Sequence, residues 1–340
     1  MSVDLWIWLA TAGAVLGLFI FDFYAHVKTP HEPTFKESAI WSTVYIVLAL
    51  VFGVALGMVW GWDHGKEYFA GYVTEKSLSV DNLFVFLIIM TKFAVPRIYQ
   101  QKVLLVGVAV ALVLRTIFIL LGAAAIAQFS WVFYLFGLFL IYTGVKLAME
   151  KHDEAPAVDS GDSWLIRQFK KVVRTVPEYH DDKLSVKIDG KRFITPMLLV
   201  MLAIGSTDVV FALDSIPAIY GLTHEPYIVF TANAFALLGL RQLYFLIGGL
   251  LQRLIYLSQG LSAILVFIGA KLIIEALHAN ELSFINGGKP MLENIQISTN
   301  MSLYVILGIL TIATVASLLA TRGNRAKTEA APKLPETKDQ

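Results

Sequence analysis

Nine stretches of the chain, near 4–25, 39–61, 67–92, 103–126, 129–149, 194–220, 227–251, 255–277 and 301–321, are each long and apolar enough for a membrane-crossing helix. Such a helix needs about 20 apolar residues. The recurrence decides the fold class, because a backbone in hydrocarbon must satisfy its own N–H and C=O groups and a helix does so within one segment. The expected fold is all-α, a polytopic membrane protein of about nine transmembrane helices. Composition agrees: 57% of the 340 residues are hydrophobic and 16% charged, and the mean hydropathy of +0.67 exceeds that of a soluble domain. The first stretch has no basic flank or small-residue cleavage site and contains Asp22, so it reads as a retained helix and not a signal peptide. The chain has no cysteine, which excludes disulfides and thiolate metal ligands alike.

Orientation follows from charge, since basic residues near short loops stay in the cytoplasm. With nine crossings, twenty of the 27 Lys and Arg residues fall on one side, and only Lys66 and Lys289 on the other. The N-terminus is therefore expected outside and the C-terminus inside. Five basic residues, Lys76, Arg115, Lys146, Arg241 and Lys271, fall within spans, where topology gives them no role. The cytoplasmic loop 151–193 holds 163-SWLIRQFKKVVRTV-176, a basic amphipathic stretch expected to lie as an interfacial helix on anionic lipid. A hairpin is expected around Asp189 and Gly190. The tail 322–340, rich in Lys, Glu, Pro and Ala, is expected to be disordered.

Set against itself, the chain repeats. The stretch 79-SVDNLFVF-86 aligns with 212-ALDSIPAI-219, 114-LRTIFILLG-122 with 240-LRQLYFLIG-248, and 139-FLIYTGVKL-147 with 264-ILVFIGAKL-272. These registers place Glu75 on Asp208, Asp81 on Asp214, Arg115 on Arg241 and Lys146 on Lys271. Repeat one spans 67–150 and repeat two 194–278, after two N-terminal helices within 1–61 and before a last span at 301–321. Three helices per unit is an odd number, so the second unit must run in the opposite sense, giving an inverted repeat of three plus three helices.

An ionised side chain facing lipid at the bilayer centre costs about 2.5–3.5 kcal/mol on insertion scales, so the buried charges must face one another or a wet cavity. Two readings stay open. In one, Asp81 with Arg241 and Asp214 with Arg115 are ion pairs that lock the helices. In the other, the carboxylates form a cation site on the pseudo-two-fold axis. Residues six apart on a helix lie about 120° round and about 9 Å along the axis. Asp81 and Asp214, with Asn82 and Ser215 beside them, are then expected at the site, and Glu75 and Asp208 near opposite mouths of the path. Arg115, Arg241, Lys146 and Lys271 are the candidate charge partners. Pro217, having no N–H, is expected to free the carbonyl of Leu213 and break its helix. The donors are oxygens, which suit Mn²⁺, Ca²⁺ or Mg²⁺ better than copper or zinc. His26 and His31, near Glu32, read as ordinary loop histidines.

The motifs 75-EKSLSVDNLFVF-86, 208-DVVFALDSIPAIY-220 and 239-GLRQLYFL-246 resemble the TerC family of integral membrane proteins, and the resemblance covers almost all of the chain to about Leu319. It implies export of a metal ion, manganese first, from the cytoplasm across a bacterial inner membrane, within a wider superfamily of LysE-like exporters; a tie to tellurium resistance comes with it, and calcium is the second candidate on ligand chemistry. The family's acidic motif positions carry over to Glu75, Asp81, Asp208 and Asp214, with Asn82 and Ser215 adjacent. No G-x-x-x-x-G-K-[ST] phosphate loop occurs, so an ion or proton gradient is the expected energy source. The chain is expected not to be an enzyme and to hold no cofactor, its partners being the divalent ion and membrane lipid and not nucleic acid. Two alternatives are a non-transporting scaffold for a metal or tellurite stress complex, and an exporter of a small organic cation.

Overall fold

The computed structural model describes residues 1–27, 31–129, 131–149, 175–176, 178–188, 191–247, 256–278, 291 and 297–329. Its helices are α1 (Leu5–Asp22), α2 (Phe35–Trp60), α3 (Trp62–Lys92), α4 (Arg97–Gln128), α5 (Val132–Met149), α6 (Pro196–Tyr220), α7 (Pro226–Leu237), α8 (Leu240–Ile247), α9 (Leu257–His278) and α10 (Thr299–Glu329). A hairpin of β1 (Ser185–Ile188) and β2 (Lys191–Ile194) precedes α6, pairing Val186 with Phe193 and Lys187 with Arg192, in the place where the sequence leads one to expect it. Among the described residues, eight helical segments are long and apolar enough to cross a membrane, α7 and α8 together making one of them. The window expected at 67–92 is α3, a 31-residue helix set apart from the eight by its charges, Glu67, Glu75, Lys76 and Asp81 among them.

Local chemistry sets the boundaries. Thr34 caps α2 by accepting the Glu37 N–H at 3.2 Å. Pro196 and Pro226 open α6 and α7, where a missing N–H leaves no hydrogen bond unmade. Three expectations need correction. α6 runs unbroken through Pro217 to Tyr220; the proline sits one turn from the helix end, so the single bond it deletes does not interrupt the element. The break falls instead in the window expected as one helix at 227–251. There Leu238 turns to ψ 131° and Gly239 adopts φ +77°, a conformation open to glycine and costly for L side chains. At the other end of the chain, α10 stays helical to Glu329, eight residues into the tail expected to be disordered. The expected interfacial helix within 163–176 lies almost wholly outside the described residues, as does 330–340.

Burial ranks the helices. About nine-tenths of the α7–α8 segment (89%) is buried, against 17% for α1 and for α10. The outer helices turn Leu5, Trp6, Leu9, Tyr304, Ile312 and Leu319 outward, an apolar rim suited to lipid. Inside, α3 packs on α7, α4 on α6 and α5 on α9. The α5–α9 contact is made backbone to backbone. A Cβ on Gly137 would lie 2.8 Å from the carbonyl oxygen of Gly269, and one on Gly269 would lie 2.7 Å from that of Gly137. Further along, Gly144 meets the carbonyl of Ser262 at 2.9 Å from an added Cβ, and Ser262 Oγ donates to the Gly144 carbonyl at 2.6 Å. The register that sets 139–147 on 264–272 turns the first pair into the second, with the helices exchanged.

Candidate ion site in the membrane core

Two polar clusters hold most of the expected site residues. The first is an ionic knot around Arg115 of α4, which is fully buried. Its Nε and Nη2 donate to Asp208 of α6 at 2.9 and 3.0 Å, the bidentate fork that suits a carboxylate. Its Nη1 donates to Glu75 of α3 and to Ser215 Oγ at 3.4 Å. Ser79 Oγ, one turn along α3, donates to the same Glu75 oxygen at 3.3 Å. The second oxygen, Glu75 Oε2, is buried without a partner among the described residues. Glu75 and Asp208 therefore meet at one guanidinium and do not stand at opposite mouths. Arg115 takes them, and not the expected Asp214, across the packed α4–α6 pair.

Arg241, the counterpart of Arg115, does something different. It grips Asp22 of α1 through Nε at 3.1 Å and Nη2 at 2.8 Å, and its Nη1 donates to Gln101. Gln242 and Tyr45 also donate to Asp22, at 2.9 and 3.0 Å. Among the described residues the carboxylate that Arg241 holds is Asp22, where Asp81 was expected. The side chain of Asp81 lies outside the described residues.

The second cluster lines a cavity of about 150 Å³ bounded by Leu78, Asn82, Thr143, Lys146, Phe211 and Asp214. These come from α3, α5 and α6, with Leu265 of α9 completing the wall. Leu78 and Phe211 are related by the same register that sets Asp81 on Asp214, so the two repeats present equivalent residues to one space. The expected site residues are thus divided. Asn82, Asp214 and Lys146 share the cavity; Glu75, Asp208, Ser215 and Arg115 share the knot. Among the described residues, no group of three or more His, Asp or Glu forms a ready-made metal cage.

Lys271 lies elsewhere, in a larger cavity of about 490 Å³ with Glu67, Thr223, His224, Glu275 and His278. Thr223 Oγ1 donates to Glu67 at 2.7 Å, and His224 Nε2 sits 2.8 Å from Glu275 Oε1. That hydrogen bond, together with the charge of Glu275, holds the His224 imidazole above its ordinary value against the opposing effect of burial. His31 contacts Glu37 at 3.3 Å and Glu32 pairs with Arg97 at 2.8 Å; the side chain of His26 lies outside the described residues. Sequence reasoning missed Gln101, Glu67, His224 and Glu275, and gave Asp22 no partner. Asp22 alone carried a signal, a carboxylate inside an apolar window.

Charges buried in knots at the centre of a bundle with an apolar rim define an integral membrane protein with a polar interior. The chain belongs to the TerC family of integral membrane proteins, whose family model matches residues 60–325. It is 49% identical over 318 residues to the uncharacterized membrane protein Rv2723 of Mycobacterium tuberculosis, covering 93% of this chain and 80% of that one. It is 36% identical to the uncharacterized membrane protein STKORF319 of Myxococcus xanthus, covering 96% of this chain and 97% of the relative. The putative membrane-bound redox modulator Alx of Escherichia coli is 42% identical over 252 residues, 72% of this chain and 78% of Alx. No solved structure matches the chain.

Proposed function

We propose that this protein is a transporter exporting a divalent metal ion, manganese first and calcium second, from the cytoplasm across a bacterial inner membrane, driven by an ion or proton gradient. The observation that carries the reading is the cavity between the repeats, where Asp214, Asn82 and Thr143 offer oxygen donors and Lys146 a balancing charge. Hard divalent ions take such oxygens. Asp81, adjacent to Asn82, would be the second carboxylate. The Arg115 knot ties α3, α4 and α6 together, and the exchanged α5–α9 contact supports an inverted repeat able to open to either side. The basic-residue split supports an outside N-terminus and a cytoplasmic C-terminus. The test is uptake of Mn²⁺, with Ca²⁺, Mg²⁺ and small organic cations in parallel, into liposomes holding this protein alone. Uptake of Mn²⁺ that Asp214→Asn abolishes is expected. Liposomes into which no metal moves would leave the scaffold reading, or one closer to the modulator that Alx is named for.

A further inference from the structure

Beside Glu75, α3 carries a charge that neither cluster uses. Lys76 sends its ammonium to the end of α7, where Nζ donates to the carbonyls of Ala236 at 2.9 Å and Leu238 at 3.4 Å. Those carbonyls are available because the helix stops: α7 ends at Leu237 and α8 begins at Leu240, with Gly239 between them at φ +77°. The last carbonyls of a helix lack intrahelical donors and hold the negative end of its dipole. Within membranes, broken helices of this kind bind cations through their carbonyls.

The lysine and the break belong together. The register that sets Glu75 on Asp208 puts Val209 in the place of Lys76. The register that sets Arg115 on Arg241 puts Leu112 in the place of Leu238, and α4 continues unbroken through Leu112 to Gln128. Repeat one supplies the lysine and repeat two the break, and the equivalent pair, Val209 and Leu112, has neither feature. Among the described residues, the lysine meets the carbonyls of the one span that is interrupted.

We propose that the α7–α8 break is a monovalent-cation site made of main-chain carbonyls, and that the Lys76 ammonium fills it as a tethered cation in place of a dissolved sodium or potassium ion. The site is separate from the cavity proposed for the divalent ion and shares no residue with it. Removing the ammonium leaves two carbonyls unsatisfied in a half-buried position, a vacancy into which a small free cation fits.

Thermal unfolding of the purified full chain in detergent tests this without any transport assay. Lys76→Ala should lower the unfolding midpoint in choline chloride, and methylammonium or sodium chloride at the same ionic strength should restore most of the loss. Lys76→Met, which fills the space without charge, should lose stability and gain nothing from either salt. The wild-type midpoint should not change between sodium and choline. A Lys76→Ala protein as stable as the wild type, or equally destabilised in all three salts, overturns the proposal. If that variant does not accumulate, the wild-type comparison still decides, because a midpoint that rises in sodium over choline means the site is not already filled. Rescue by cations in a protein that moves no metal would sink the export reading and leave this one standing.

Discussion

Arg115 holds two carboxylates in a space closed to water, so its loss should be felt in stability before it is felt in transport. Breaking a buried ion pair by removing one partner costs about 3–5 kcal/mol. Arg115→Gln should be destabilised on that order, measured by thermal or denaturant unfolding, and Arg115→Lys should recover only part, since an ammonium lacks the fork. Arg241→Gln should lose less, because Asp22 keeps the hydrogen bonds from Tyr45 and Gln242. Equal losses at the two arginines would contradict this partition. His224 gives a pH signature. Its folded value lies above the ordinary 6.5, so the stability from its pairing with Glu275 is complete below that pH and fades as pH rises through the folded value. Both side chains are partly exposed, which holds the effect to about 1 kcal/mol or less; His224→Gln should cost stability at acid pH and little at alkaline pH. Every charge in the knot was legible in the sequence, but its partner was not. Alignment of the repeats states which residues are equivalent, whereas adjacency depends on which helices pack, and Asp22 stands outside the repeat altogether.

At the scale of the element, the α5–α9 crossing is the contact least able to tolerate added atoms. On Gly269 the obstructing atom is a backbone oxygen at 2.7 Å, which cannot swing aside as a side chain does. Gly269→Val should therefore be destabilised by about 1–3 kcal/mol, the cost of overpacking, whereas Gly13→Ala, with nothing within 4 Å, should unfold like the wild type. The helices themselves were legible from their apolar windows, and the interruption was not. Pro217 was the visible breaker but falls at a helix end. Gly239 sits inside the apolar run 234-AFALLGL-240, where nothing in the sequence distinguishes a glycine in a left-handed turn from one that eases packing.

Across the whole molecule, the absence of cysteine makes orientation directly measurable. A cysteine placed at the exposed Glu178 should be labelled only from the cytoplasm, and one at Asp63, 93% exposed, only from outside; the reverse pattern would overturn the proposed topology. The glycine contact also has a consequence for biosynthesis. Met149 closes α5 and His278 closes α9, 129 residues later, an interval of roughly 6–26 s at a translation rate of about 5–20 residues per second. Throughout that time the bare backbone stripe at Gly137 and Gly144 waits in the bilayer for a partner still being made.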